Sequence, residues 1–196
     1  LDLSDQTENI MNQKLIIMGI QGCGKGTHAE KLVADFGLTF IGAGDMFRWL
    51  TKNNTTIGRT MKETMARGEL IDDQLVLDVM GWRLDLHDWD CGLLLDGFPR
   101  NEKQRHWLLE EKKYPFDHVI HIDIPDEQVV IDRMLGRGRA DDNEKAIKMR
   151  IAEYRRETEP TLEAYEKAGL LREVLGIGTI DEVYQRILNA LGWSKP

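Results

Sequence analysis

The sequence is poor in cysteine and in long apolar runs, and each shortage excludes a class of protein. Two cysteines, Cys23 and Cys91, are too few for a disulfide framework or a four-ligand zinc site, so a reducing cytoplasm is the expected location. No apolar run approaches the ~20 residues that a membrane-spanning helix needs. Residues 1–13 are polar and lack the apolar region of a signal peptide, and we interpret them as an N-terminal extension.

Basic residues are also fewer than acidic residues. The chain has 26 Lys and Arg residues against 34 Asp and Glu residues, which gives a net charge of −8 at pH 7. This balance argues against general nucleic-acid binding, because such binding requires a basic surface. The 196 residues suffice for one sizeable core with a small inserted segment. The lack of an obvious exposed apolar stripe predicts a monomer.

Short apolar runs alternate along the chain with longer helical patterns. Continuous runs of this kind are typical of parallel strands that are buried on both faces. The alternation predicts an α/β fold: a doubly wound, parallel five-stranded sheet with helices on both faces. The predicted strands cover residues 15–18, 38–41, 93–95, 119–122 and 171–174. The predicted helices cover residues 25–36, 45–52, 57–66, 72–86, 102–111, 126–135, 144–168 and 179–191, with Asp72, Asp126 and Thr179 as N-caps.

Two regions exceed what a minimal sheet needs. Residues 44–72 hold two helical patterns between one strand and the next helix–strand unit. Residues 136–143, "GRGRADDN", form a loop of Gly, Arg and Asp between two helices. We expect both regions to cover the carboxyl ends of the strands, where open α/β sheets bind their ligands.

A glycine-rich segment, "GIQGCGKG", follows the first strand and precedes the first helix. It fits G-x-x-x-x-G-K with Gly19, Gly24 and Lys25, a pattern whose N–H groups cradle phosphate oxygens at a helix N-terminus. The residue after the lysine is Gly26 rather than Ser or Thr, and Thr27 comes next, which weakens a GTPase interpretation. The alternative is a glycine-rich turn that binds nothing, but the strand–loop–helix order favours phosphate binding.

The stretch "CGLLLDGFPR" ends an apolar strand in an acid, Asp96, and then presents Arg100 after a sharp turn. An acid at this place beside a phosphate loop is expected to hold hydrated Mg²⁺. The alternative for Asp96 is a helix cap or a solvated turn acid. Its position next to the predicted phosphate loop favours the metal role.

Arginine is concentrated around the "GRGRADDN" loop despite the acidic composition. The alternative interpretation is a solvated helix face in which the arginines pair with acids. Gly136 and Gly138 alternate with two of the arginines, so planar, phosphate-binding forks would sit on a movable loop, as phosphoryl transfer requires. The arginines of this loop and its flanks are Arg133, Arg137, Arg139 and Arg150, and Arg48 and Arg100 lie near the other candidate elements.

The motifs "GxxGxGKGT", "GDMFR", "LLLDGFPR", "DRMLGRGRADD" and "KMRIAEYRRETEP" occur together in this order. In this the chain resembles the adenylate kinases, among the nucleoside monophosphate kinases, from residue 14 to residue 191. The resemblance implies a P-loop NTPase-type core (14–43, 73–135 and 144–196), an NMP-binding segment (44–72) and a short lid (136–143). It implies the reaction MgATP plus AMP to two ADP, by direct in-line transfer without a phosphoenzyme.

The resemblance also implies roles for individual residues. Arg133 would stack on the ATP adenine, Thr27 would bind the α-phosphate, and Asp96 would hold Mg²⁺ through water. The catalytic set would be Lys25, Arg100, Arg137, Arg139 and Arg150. The ATP side would comprise Gly22, Cys23, Gly24, Lys25, Gly26, Thr27, Arg133, Arg137 and Gly178. The AMP side would comprise Ala43, Arg48, Leu70, Ile71, Gly97, Arg100, Gln104, Arg139 and Arg150.

Three residues bear on the acceptor base. At Ala43 and Asn101 the chain resembles UMP/CMP kinases, whereas the amide of Gln104 suits the hydrogen-bonding edge of adenine. We favour AMP as the acceptor and ATP as the donor. A UMP/CMP kinase and a catalytically silent nucleotide-binding domain remain alternatives. The short lid lacks the cysteine pairs of zinc-bearing lids, so no structural zinc is expected.

Overall fold

The computed structural model describes residues 10, 12–53, 55–66, 71–138 and 143–195, without the side chains of residues 64–66 and 137. Five parallel strands form one sheet in the order β2-β3-β1-β4-β5. All five predicted strands are confirmed, each end to within one residue. The strands are β1 (Lys14–Met18), β2 (Thr39–Gly42), β3 (Leu93–Asp96), β4 (His118–Asp123) and β5 (Leu171–Leu175).

Strand β1 lies at the centre of the sheet and is covered on both faces. Its residues alternate between two apolar clusters: Leu15 and Ile17 belong to one, Ile16 and Met18 to the other. Both faces of β1 therefore need apolar side chains, which is why the strand is a continuous apolar run rather than an alternating one. The predicted α/β fold with helices on both faces is confirmed.

Helices cover the two faces unequally. The cluster around Leu15 and Ile17 takes residues from α1, α6, α7 and α9, and the opposite cluster takes residues from α2, α4 and α8. The helices are α1 (Lys25–Phe36), α2 (Ala43–Lys52), α3 (Thr56–Ala66), α4 (Asp73–Asp85), α5 (Glu102–His106), α6 (Glu127–Arg137), α7 (Glu144–Glu153), α8 (Leu162–Lys167) and α9 (Ile180–Leu191). Among the described residues, none of these helices is long and apolar enough to cross a membrane.

Two of the predicted helices differ from the structure because they are not regular throughout. Helix α5 continues as a π-helical turn, Trp107–Glu111, rather than as an α-helix to residue 111. The predicted helix 144–168 is divided by a π-helical turn, Tyr154–Thr158, and a 3₁₀ turn, Glu159–Thr161. Pro160, which has no N–H group to donate, lies in the 3₁₀ turn and accounts for part of this irregularity.

The predicted caps have two different outcomes. Thr179 accepts a hydrogen bond from the backbone N–H of Glu182, whose carboxylate accepts one from the Thr179 N–H in return, at 2.7 Å. Asp126 accepts from the N–H of Gln128. Asp72 occupies the N-cap position of α4, but within the described chain its side chain caps no N–H group. Position alone therefore does not establish a cap.

Replacing Thr179 by alanine is expected to lower the free energy of unfolding by about 1 kcal/mol, because the N-terminal N–H groups of α9 lose a partner. Urea unfolding monitored by circular dichroism measures this loss. Asp72→Ala is the matched control and should cost clearly less. Equal losses in the two variants would contradict the role of the reciprocal hydrogen bonds.

Candidate nucleotide-binding site

A cleft of about 1660 Å³ opens at the carboxyl ends of the strands. It lies where β1 and β3 are neighbours and where the chain leaves them toward opposite faces of the sheet, which is where open α/β sheets bind ligands. Pockets for one small ligand usually measure about 300–1,000 Å³. The cleft therefore has room for more than one nucleotide-sized molecule.

The predicted phosphate loop forms one wall of this cleft. Gly22 and Gly24 have φ angles of 91° and 100°, in the left-handed region that glycine adopts without strain. A Cβ on Gly22 would also lie 2.9 Å from the Cγ of Met134, so a side chain does not fit there. Gly24 is the N-cap of α1 and has no side chain to occupy the first N–H groups of that helix. Those groups are left to bind an anion.

The side chain of Lys25 is held over the phosphate loop by backbone carbonyl groups of that loop. Its Nζ donates to the carbonyl oxygens of Gly19, at 2.5 Å, and Ile20, at 3.0 Å. Nζ also lies 3.7 Å from the Sγ of Cys23, whose side chain is buried. A positive charge is thus placed at the mouth of a loop whose N–H groups can bind phosphate.

Asp96 is the last residue of β3 and pairs in register with Ile17 of β1, which places it beside the phosphate loop. In the described part of the chain, its Oδ1 is buried and has no hydrogen-bond partner. Burial raises the pKa of this carboxyl, and the nearby charge of Lys25 opposes the rise. A buried carboxylate without a partner is costly, and a hydrated cation removes that cost. Asp96 therefore fits a magnesium site.

Arg100 is positioned through its backbone. Its N–H donates to Oε1 of Gln104 at 2.8 Å, and its carbonyl oxygen accepts from Oγ1 of Thr158 at 2.6 Å. The Nε of Arg100 donates to the carbonyl oxygen of Gly97 at 2.8 Å. These contacts bring together the turn after β3 and the turn after α7, so that the guanidinium lies along the cleft wall.

Gln104 is 5% exposed and is hydrogen-bonded at both ends of its amide. Its Oε1 accepts from Arg100, and its Nε2 donates to Oδ1 of Asp73 at 2.7 Å. Asn101 also donates to Oδ1 of Asp73, at 3.1 Å, while its own Oδ1 caps α5. One N–H and one lone pair of Gln104 remain to meet a base, so its role as base reader stays a prediction. Asp73 fixes which way the amide points.

The comparisons with known proteins agree with this arrangement. A family model described as adenylate kinase matches residues 17–170. The chain belongs to the adenylate kinase family. It is 41% identical over 184 residues to an adenylate kinase of Synechococcus sp. (strain RCC307). The aligned region covers 92% of this chain and all of the relative. Adenylate kinases of Leptospira biflexa and Bifidobacterium longum are 38% and 40% identical, over 91% of this chain and over 100% and 99% of the relatives.

Most of the residues that the adenylate kinase resemblance selected lie together on the cleft wall. Arg133 donates from Nη1 to the carbonyl oxygen of Gly176 at 3.2 Å, and Arg48 forms an ion pair with Asp45. The predicted site residues that line the cleft are Gly22, Cys23, Gly24, Lys25, Gly26, Thr27, Arg48, Ile71, Asp96, Gly97, Arg100, Gln104, Arg133, Arg150 and Gly178.

Four predicted adenylate kinase site residues are not placed on the cleft wall. Ala43 is 1% exposed, belongs to an apolar core cluster, and is not one of the described residues that line the cleft. Leu70 and Arg139 lie outside the described residues, as does the side chain of Arg137. The roles of all four residues stay predictions.

Asp73 and Thr158 contribute to the site, and sequence reasoning missed both. Each acts on a residue far away in the chain: Asp73 on Gln104, and Thr158 on Arg100. The spacing of residues within a short stretch of sequence does not predict pairs that are this far apart in the chain. The sequence offered one indication, for Asp73 alone. It is a second acid directly after the predicted cap Asp72, and a second acid at a helix start is free to bind another partner.

Proposed function

We propose that this chain transfers the γ-phosphoryl group of MgATP to AMP, reversibly and in line, to give two ADP. The observation that carries the proposal is that one cleft is lined both by a phosphate loop with its lysine and by Arg48, Arg100 and Arg150. A site for a single triphosphate needs only the loop and the lysine. Further arginines in the same cleft suit a second anionic substrate whose phosphate must approach the first.

In this mechanism the protein positions its substrates and neutralises their charge. The N–H groups of the loop, together with Lys25, bind the phosphates of ATP, Thr27 binds its α-phosphate, and Arg133 stacks on its adenine. Arg48 and Arg100 grip the phosphate of AMP. Arg137, Arg139 and Arg150 draw the two phosphate tails together. No side-chain nucleophile is required, because direct transfer depends on orientation and electrostatic stabilisation.

Asp96 is the residue that would hold Mg²⁺, through water. The bound ion would neutralise charge on the phosphate oxygens of ATP. Water must be kept from the transferred group, and we assign that task to the lid, residues 136–143. Substrate-induced lid closure is already known for adenylate kinases.

Two observations support AMP rather than CMP or UMP as the acceptor. Ala43, one of the two positions at which the chain resembles UMP/CMP kinases, is buried in an apolar core cluster. Asn101, the other, uses its side chain to cap α5 and to hold Asp73. Both residues thus have structural tasks that do not depend on the base. Gln104 lines the cleft beside Asn101. Its amide, which Arg100 and Asp73 hold in one orientation, keeps one N–H and one lone pair for a base.

An acceptor panel tests this proposal. MgATP is supplied with AMP, CMP, UMP, GMP or dTMP, and the products are separated by chromatography. ADP should form at least about tenfold faster with AMP than with any other acceptor, and not without an acceptor. Faster transfer to CMP or UMP would contradict the choice of base. No transfer to any acceptor would contradict the enzymatic function.

We also propose a monomeric enzyme of a reducing cytoplasm. The support is compositional: the acidic chain has two cysteines, and neither forms a disulfide. Size-exclusion chromatography with light scattering checks the oligomeric state.

A further inference from the structure

His28 lies one turn into α1, directly after the phosphate loop, and is 3% exposed although it lines the cleft. Its imidazole ring is parallel to the ring of Tyr184 in α9, at 5° with centroids 6.4 Å apart. Packing of this kind needs an aromatic ring but does not need a ring with two nitrogens. The polar atoms of His28 therefore call for an explanation of their own.

The two ring nitrogens have different surroundings. Nδ1 is buried and, among the residues that the structure describes, has no hydrogen-bond partner. The other edge of the ring faces the phosphate loop, since a Cβ on Gly24 would lie 3.5 Å from Nε2. A buried N–H without an acceptor is rarer in proteins than an unsatisfied acceptor. The proton of the neutral ring is therefore better placed on Nε2, the nitrogen beside the loop.

The ring is also kept neutral. Burial lowers the pKa of His28, and the positive charges of Lys31 and Arg133 lower it further. At neutral pH the ring thus offers one N–H donor and no full charge. Arg133 is assigned to the adenine of ATP and Lys25 to its β- and γ-phosphates, and the α-phosphate joins these two parts of the nucleotide. His28 lies beside the loop that carries Lys25, and the charge of Arg133 lowers its pKa, so the α-phosphate is the group of ATP best suited to meet its ring.

We propose that Nε2–H of His28 donates a hydrogen bond to an α-phosphate oxygen of the donor nucleotide and so raises the affinity for ATP. The inference rests on the proposed function, since it takes ATP as the molecule bound along the phosphate loop. It adds a side-chain contact to the ATP side, which otherwise consists of the loop, Thr27, Arg133, Arg137 and Gly178. It concerns ATP alone and predicts no effect on AMP.

His118 provides a matched comparison. Its Nδ1 is likewise buried without a partner in the described chain, and burial likewise lowers the pKa of the ring. His118 belongs to β4 and is not among the described residues that line the cleft. An unsatisfied nitrogen is therefore not sufficient evidence of a ligand site, and the position of His28 beside Gly24 is what distinguishes it.

The test compares His28→Phe, His28→Gln and His118→Phe with the wild-type chain. Phenylalanine preserves the ring against Tyr184 and removes both nitrogens, while glutamine restores an N–H donor. The KM and the calorimetric Kd for ATP should rise about tenfold in His28→Phe, with the KM for AMP unchanged, because one hydrogen bond to a charged phosphate is lost. His28→Gln should recover most of the affinity. His118→Phe should leave both constants for ATP unchanged.

Unchanged ATP constants in His28→Phe would overturn the inference, as would equal losses for ATP and AMP, which indicate a structural role. A loss in His28→Phe that disappears when 2′-deoxy-ATP replaces ATP would assign the contact to the ribose and overturn the α-phosphate assignment. If the wild-type chain transferred no phosphoryl group, the proposed function would fail. The calorimetric titration with ATP would still decide the role of His28.

Discussion

Replacing Lys25 by methionine is expected to lower kcat/KM for phosphoryl transfer by about a thousandfold, the upper range for removal of one preorganised donor. Methionine has a similar length and no charge, so the β- and γ-phosphates lose a cation that neutralises them during transfer. The folded protein loses two hydrogen bonds, to the carbonyl oxygens of Gly19 and Ile20. Initial rates over a range of MgATP concentrations at saturating AMP, with circular dichroism of each variant, measure the effect.

Lys31→Met is the matched control for Lys25. Lys31 lies in the same helix, and its ion pair with Asp181, at 2.9 Å, is at the surface. Exposed pairs contribute little to stability, so this variant should retain kcat/KM to within about twofold. If Lys25→Met kept more than about a tenth of the activity while remaining folded, the lysine would not be the phosphate ligand that the loop motif predicts.

The strands and the phosphate loop could be predicted because their causes are local. Each strand is an apolar run bounded by polar residues, and its burial on both faces keeps that run continuous. The loop has its glycines and Lys25 within eight residues of sequence. A phosphate group can approach the backbone closely only where several glycines lie near one another, so the sequence motif by itself predicts the geometry of the loop.

The parts that could not be predicted depend on distant contacts. The amide of Gln104 is oriented by Asp73, and the backbone of Arg100 is held by Thr158. The π-helical turn Trp107–Glu111 follows the same apolar pattern as an α-helix, so periodicity does not distinguish them. The position of His28 could not be predicted, because a histidine in an amphipathic helix usually belongs to the core. Its position beside Gly24 becomes visible only in three dimensions.

Asp96→Asn is expected to lower magnesium-dependent transfer by about 10–100-fold, the usual effect of losing a group that holds a metal through another ligand. Asparagine has nearly the same shape but no negative charge, so it holds hydrated Mg²⁺ weakly. Activity measured against Mg²⁺ concentration separates weaker metal binding from slower transfer. A variant with the wild-type magnesium requirement and rate would contradict the assignment of Asp96 to the metal.

The same substitution is expected to stabilise the metal-free protein at neutral pH. Burial raises the pKa of Asp96 above its ordinary value of 3.8, so the folded state binds its proton more tightly than the unfolded state does. The stability due to this group therefore falls as pH rises from 3.8 through the raised pKa, and it stays low above that window. Asparagine cannot ionise, and Asp96→Asn should melt at a higher temperature than the wild-type chain at pH 7.

Asp85→Asn is the control with the opposite sign. The hydroxyl of Tyr114 donates to Asp85 at 2.5 Å and holds the pKa of this carboxyl below its ordinary value. Its contribution to stability is therefore present at neutral pH and lost as pH falls through the lowered pKa. Asp85→Asn should melt at a lower temperature at pH 7 and keep full activity, since Asp85 lies outside the described wall of the cleft.

Together the two variants separate a binding carboxylate from a structural one. At pH 7, in the presence of a chelator, the melting temperature should rise for Asp96→Asn and fall for Asp85→Asn, whereas activity should fall only for the former. A carboxylate that destabilises the folded protein but is needed for activity indicates a charge that is kept in the fold in order to bind a ligand. If Asp96→Asn melted at or below the wild-type temperature, the unpartnered Oδ1 would not be such a charge, and the magnesium assignment would lose its structural support.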